Sequence, residues 1–248
     1  MEREKVDKII NISVKVLFSA LFVVMFFAVM RIEATKKPQE EIDAILEQQK
    51  EDLDRLLAGK SLNENLPETW PAKMNKPYPE IELIDKDGKS FKLSDLKGKI
   101  VILSFLDMSS PTSQAQSGAG LSGTYGLTQD KDPLAETFDD ALRKVGDGNL
   151  TLPHPDILQV NVLVYKQDGG QPTVDEAANW ATHFDLEREK GVIVAVPQKD
   201  IRGEESEKII NGFQLLDKNH ILRVDSSGPE PKHNLKMTLI PLVPKLLR

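Results

Sequence analysis

The sequence predicts an α/β layered domain built on a mixed sheet, preceded by a membrane-spanning segment and an amphipathic stalk. Three observations carry that expectation. Strand-like and helix-like runs alternate from residue 80 onward. Two of the strand-like runs, 100–106 (IVILSFL) and 157–164 (ILQVNVLV), are mostly apolar, as strands covered on both faces are. Short turn dipeptides, Asp87-Gly88 and Lys218-Asn219, separate the remaining strand-like runs. Strands that alternate with helices close into a layered domain.

Taken in order, 81–84 and 90–93 form a hairpin around Asp87-Gly88, and 100–106 is the first central strand. Residues 132–145 read as a helix, and 157–164 as the second central strand. A further helix spans 173–184, its start T-V-D-E satisfying the reciprocal bonding of a capping box. A third apolar strand follows at 191–196. The runs 213–216 and 221–224 make a hairpin around Lys218-Asn219, and 235–247 is a terminal helix interrupted by Pro241 and Pro244.

Ahead of the domain, 16–30 (VLFSALFVVMFFAVM) contains no charge and, with the apolar residues before it, is long enough to span a bilayer. A cleaved signal peptide has a similar apolar core, but no small-residue cleavage site follows Met30, so a retained anchor is expected over 1–35. The basic residues around the span are slightly biased towards its N-terminal side, which places the N-terminus in the cytoplasm and the domain outside it, in the periplasm. Residues 37–57 carry Ile42, Ile45, Leu46, Leu53, Leu56 and Leu57 at helical spacing among acids and glutamines. Residues 61–79, with four prolines and Trp70, read as an irregular linker. The expected divisions are therefore an anchor to residue 35, a stalk and linker over 36–79, and a domain over 80–248.

Composition narrows the function classes. The 248 residues are 40% hydrophobic and 29% charged, enough for a full core, and the net charge of −7 opposes a nucleic-acid partner. There is no cysteine, so disulfide, thiolate-metal and thiol redox chemistry all lack their reactive atom. Gly118–Gly123 matches G-x-G-x-x-G, but it lies about a dozen residues beyond the strand and no apolar helix follows, so it reads as a Gly/Ser loop and not a dinucleotide turn. His154, His183, His220 and His233 show no paired ligand spacing. Asp139, Asp140, Glu204, Glu205 and Glu207 read as solvated faces or caps. No cofactor or metal is expected.

The run PEIELIDKDGKSFKLSDLKGKIVILSFLDMSSPTSQAQ, within 78–116, resembles the thioredoxin-like superfamily, in particular its membrane-tethered thiol-disulfide oxidoreductases and its alkyl hydroperoxide reductase/TSA peroxiredoxins. The shared pattern is a hairpin, an L-S-D-L-K-G-K segment, a core strand and then the loop that carries the active cysteine. The resemblance implies a thioredoxin-like sheet flanked by helices. It places Ser110 at the nucleophile and Ser113 at the resolving position of a loop that reads Ser110-Pro111-Thr112-Ser113 here and C-P-x-C or C-P-T in the relatives. Serine cannot take over the thiolate's reaction, so Ser110 is expected to cap the following helix, with Pro111 in its first turn. Two other features depart from the family: Asn211-Gly212 stands where it keeps a cis-proline, and an insertion over 117–132 follows the loop. In the related Sco-type copper chaperones the spacing is C-x-x-x-C. Ser109 and Ser113 keep that spacing with ligands poorly suited to soft copper.

Three functions follow as expectations. The first is a redox-inactive, membrane-anchored accessory subunit, its partners the lipid bilayer and integral membrane subunits of a larger complex. Its contacts would be Leu17, Phe18, Phe22 and Phe26 in the span, Ile42, Leu46, Leu53 and Leu57 in the stalk, and Trp70 as an aromatic anchor, unless Trp70 packs back on its own domain. The second is an oxidoreductase or peroxiredoxin-like enzyme whose cysteines have been exchanged for serine. The third is a Sco-like ligand- or metal-handling module.

Overall fold

The structure is a computed structural model that describes residues 70–126, 130–145 and 150–247. The expected span, stalk and most of the linker lie outside the described residues, and with them Leu17, Phe18, Phe22, Phe26, Ile42, Leu46, Leu53 and Leu57. Among the described residues no helix is long and apolar enough to cross a membrane.

Strands β1 (Glu82–Asp85), β2 (Ser90–Lys92), β3 (Ile100–Asp107), β4 (Ile157–Tyr165), β5 (Val192–Pro197), β6 (Gly212–Leu216) and β7 (Leu222–Ser227) form one sheet in the order β2-β1-β5-β4-β3-β6-β7. β3 pairs in parallel with β4, and β4 with β5, whereas β1, β6 and β7 join antiparallel. The helices are α1 (Pro111–Ser117), α2 (Ala119–Ser122), α3 (Phe138–Val145), α4 (Val174–Phe184), α5 (Glu204–Glu207) and α6 (Ile240–Leu247).

The pleat sorts β3 cleanly. Val101, Leu103 and Phe105 face one side with Val160, Val162, Ile193 and Ala195, while Ile100, Ile102 and Leu106 face the other. Helices α3, α4 and α6 cover the second side through Phe138, Leu142, Trp180, Phe184, Ile240 and Val243. The first side is covered by chain without long helices: Trp70, Ala72, Tyr78 and Ile81 from one end, Ile201 and Ile209 from the other. Burial of both sides is why β3 and β4 are apolar along almost their whole length.

Several elements depart from the sequence reading. Trp70, expected to face a partner, is buried: its ring meets Phe105 edge-on at 5.4 Å and its Nε1 donates to Ser206 Oγ at 3.1 Å. The segment from Trp70 to Pro79 is thus part of the domain and not a spacer: Trp70, Ala72 and Tyr78 join the core, and the Asn75 and Tyr78 N–H groups donate to Leu222 O and His220 O at 2.8 Å. The helix expected over 132–145 starts only at Phe138; Pro133 and an Asp132 turn precede it, and Thr137 Oγ1 accepts the Asp140 N–H at 3.0 Å. The C-terminal helix is not interrupted by its prolines. A π-helical turn, Leu235–Leu239, leads into α6, with Pro241 in its first turn and Pro244 inside it. α4 begins as read, with Thr173 and Glu176 exchanging the two capping-box bonds.

Candidate functional site

β3 delivers the Ser110 loop at the carboxyl end of the parallel strands. Asp107 Oδ1 accepts the Ser109 N–H at 2.8 Å and the Ser109 hydroxyl at 2.7 Å, turning the chain out of the sheet. Ser110 is extended (φ −75°, ψ 124°) and its Oγ accepts the Ser113 N–H at 3.4 Å, so it caps α1 with Pro111 in the first turn. Ser113 is wholly buried. Its Oγ accepts the Asp107 N–H at 3.0 Å, and its hydroxyl donates to Asn211 Oδ1. The Ser110 hydroxyl reaches the same oxygen at 3.3 Å.

Asn211 therefore holds both serines at once. Its φ of +69° lies in the left-handed region, which asparagine tolerates and proline cannot enter. Its main chain is also consumed within the domain: the N–H donates to Phe105 O at 2.9 Å, and the carbonyl accepts the Gly228 N–H at 2.8 Å. Next to it, the Gly212 N–H donates to Gln116 Oε1 at 3.0 Å and the Gly212 carbonyl accepts the Ser104 hydroxyl at 2.7 Å. Gly212 is fixed by space as well as by its φ of +81°, since a Cβ there would lie 2.2 Å from Ser226 O.

The insertion is fastened over α1 at both ends. Buried Gln114 donates to Met108 O and Tyr125 O at 2.8 and 3.0 Å and accepts the Tyr125 N–H at 2.6 Å. At the other end the Thr112 hydroxyl donates to Asp132 Oδ2 at 3.0 Å, and the Asp132 N–H to Pro111 O at 3.3 Å. Tyr125 packs edge-on against Trp180 at 5.3 Å, and His183 Nε2 lies 3.2 Å from Gly123 O. Part of the stretch read as a Gly/Ser loop, Ala119–Ser122, is thus a helical turn tied to α4, and His183 is a core-edge residue.

What stays open is a cleft of about 620 Å³ beside the loop, lined by Asp107, Thr112, Tyr165, Glu207, Asn211 and Pro229, among others. Among the described residues no lysine, arginine or histidine lines it. Burial pushes the Tyr165 phenol up, although its oxygen accepts the Gly203 N–H at 2.9 Å. The carboxylates in that lining are Glu207 and Asp107, whose Oδ1 already accepts the Ser109 N–H and hydroxyl, while the Ser110 and Ser113 hydroxyls are both tied to Asn211.

The other residues singled out in the sequence are dispersed. Asp139 accepts the Leu152 N–H and pairs with Arg143, and Glu204 and Glu205 pair with Lys208. Among the described residues no group of three or more His, Cys, Asp or Glu side chains is placed to hold a metal. Soft copper would need thiolates that the Ser109 and Ser113 positions do not supply, and both hydroxyls are already bonded within the domain, so the residues present do not fit that ion. Sequence reasoning missed Asn211 as the shared acceptor and Gln114 and Gln116 as staples. The available signal was α1 itself, PTSQAQS, polar at most positions yet buried from Ser113 to Ser117.

The topology decides the fold. A parallel pair, β3 and β4, lies beside an antiparallel hairpin, β6 and β7, that leads to a terminal helix, and the site loop and a capped helix follow β3 directly. The fold is thioredoxin-like. Among solved structures the chain is similar to a SCO1/SenC family lipoprotein from Bacillus anthracis (16% identity, 74% of this chain and 99% of that one, TM-score 0.43). It is also similar to a peroxiredoxin-like protein from Aquifex aeolicus (12% identity, 71% and 89%, TM-score 0.43). A third is Arabidopsis thaliana ScoI with copper bound (14% identity, 67% and 97%, TM-score 0.41). No protein-family model and no curated protein matches the chain.

Proposed function

We propose that this chain is a redox-inactive, membrane-anchored thioredoxin-like protein that serves as a structural or accessory subunit of a membrane protein complex, with its domain on the extracytoplasmic side. The observation that carries the reading is Asn211. Its side chain locks both serines, its φ excludes a proline, and its backbone N–H and carbonyl are both spent inside the domain. An extended substrate pairing with the groove edge at residue 211 would find neither group free.

The absence of cysteine removes the thiolate, and the insertion fastened through Gln114 and Asp132 adds a cover over α1. These features support loss of the site as a working groove, beyond exchange of two side chains. The reading as an enzyme with serines in place of cysteines needs an accessible groove edge, which Asn211 does not offer. The membrane side of the proposal rests on the uncharged 16–30 run and the apolar stripe of 37–57. A tether of that kind raises the local concentration of a weakly docking domain, so little affinity is required of the domain itself.

The test is co-purification from native membranes in mild detergent, comparing the full chain with a variant lacking residues 1–60. The full chain should bring integral membrane partners with it and the truncated one should not. Undiminished co-purification by the truncated chain would move recognition to the domain surface and refute the tether account.

A further inference from the structure

A second hollow lies at the other end of the sheet from the Ser110 loop, where the parallel strands β3, β4 and β5 begin. Its volume is about 480 Å³, within the range of small-molecule sites, and Leu96, Ile157 and Leu158 contribute apolar surface to it. Three residues with N–H-bearing side chains line it, Lys99 and His154 from loops and Arg188 from a short 3-10 turn. Among the described residues no carboxylate lines it, and the acid paired with one of its donors is Asp85, beside Arg188.

Each of the three is oriented by a bond of its own. Lys99 Nζ donates to Pro155 O at 2.6 Å, which fixes the ammonium and leaves two of its N–H groups to give. His154 Nδ1 accepts the Asp156 N–H at 3.1 Å, so in the neutral ring Nε2 carries the proton and is a donor. Arg188 Nη2 stands 3.4 Å from Asp85 Oδ2, an acid whose other oxygen accepts the N–H groups of Asp87 and Lys89. Gly191 keeps one wall open: at its φ of +80°, a Cβ would sit 3.3 Å from Pro153 Cα.

We propose that this hollow binds an organic oxyanion, a carboxylate or phosphate monoester carried on a small apolar body. Three N–H-bearing side chains stand against a single carboxylate, Asp85 behind Arg188, and that excess of donors selects an anion. The apolar surface between them selects a ligand that has something to bury, which a bare inorganic ion does not. Donors already held in place lose little freedom on binding. The hollow shares no residue with the Asn211 cleft, so this proposal stands whether or not the functional reading above does.

The test is titration calorimetry of the full chain in nonionic detergent with phenyl phosphate, benzoate, inorganic phosphate and benzyl alcohol. Phenyl phosphate or benzoate should bind saturably, and the tighter of the two identifies the oxyanion. Inorganic phosphate should bind at least about tenfold more weakly, and benzyl alcohol should give no saturable heat. Lys99→Gln keeps a donor for Pro155 O; it and Arg188→Gln should each weaken the preferred anion about tenfold, a charge-assisted bond's worth. Glu207→Gln, at the far end of the sheet, should leave affinity unchanged. Absence of saturable binding by both organic anions, unchanged affinity in Lys99→Gln and Arg188→Gln, or equal binding of benzyl alcohol would overturn the proposal. So would dependence on Glu207.

Discussion

Removing the Ser113 hydroxyl is the sharpest perturbation of the closed loop. Ser113→Ala deletes one acceptor and one donor in a wholly buried position: the Asp107 N–H loses its partner at 3.0 Å, and Asn211 Oδ1 keeps only Ser110, at 3.3 Å. A net hydrogen bond is worth about 1 kcal/mol, and an orphaned buried donor costs about 1–3 kcal/mol, so the loss should be about 2–3 kcal/mol. Ser110→Ala removes a cap whose bond is long, 3.4 Å, and should cost about 1 kcal/mol or less. Trp70 and Trp180 are both buried and report unfolding by fluorescence, so urea denaturation of the two variants gives the order directly. Equal stability of Ser113→Ala and the parent would show that the hydroxyl holds nothing and refute the reasoning.

Asn211→Pro should destabilise the domain by roughly 3 kcal/mol or more, because the ring cannot adopt φ +69° and the bond to Phe105 O is lost; denaturant midpoints would show it. Gly212→Ala should fail to accumulate as folded protein, given a Cβ 2.2 Å from Ser226 O, and near-ultraviolet circular dichroism is the check. Stability should also fall in acid through Asp225. Burial pushes its carboxyl up, but hydrogen bonds from Ser227, Gln214 and Lys232 together outweigh that and hold it below the usual range. A depressed folded pKa contributes stability that is present above the unfolded value near pH 4 and lost as pH falls through the folded one. Asp225→Asn should therefore flatten the acid limb of a stability–pH curve below about pH 4, and an unchanged limb would assign it to other carboxylates.

How much of this was legible in the sequence depends on which force fixes each element. The two central strands were readable because burial on both faces leaves a mostly apolar record, broken only at Ser104, Gln159 and Asn161 within 100–106 and 157–164, and α4 because Thr173 and Glu176 write a local, reciprocal bond. The resemblance of 78–116 placed the loop and its serines, and the cap at Ser110 followed from elementary helix chemistry. Whether Trp70 faces a partner or its own domain stayed open in the sequence, because proline spacing reports backbone shape while the ring's burial depends on Phe105 and Ser206, far along the chain. The start of α3 slipped because Thr137 caps it through the Asp140 N–H without the glutamate that marks Thr173-x-x-Glu176, and acidic residues ahead of it imitate a first turn. Asn211 was noticed only as a missing proline. Its two serine partners lie about a hundred residues earlier, and no local pattern announces an acceptor shared across that distance.

The central claim is that the loop and its groove edge are tied up by the architecture around Asn211 and not merely short of two sulfur atoms. The measurement that reaches it most directly is insulin reduction by the Ser110→Cys, Ser113→Cys variant, its fold verified by circular dichroism. With Asn211 still spending its backbone inside the domain and the insertion still fastened over α1, turnover should stay close to the parent's background. Turnover comparable with a redox-active thioredoxin-like protein would contradict the account, because it would show a working groove from which only the cysteines had been lost.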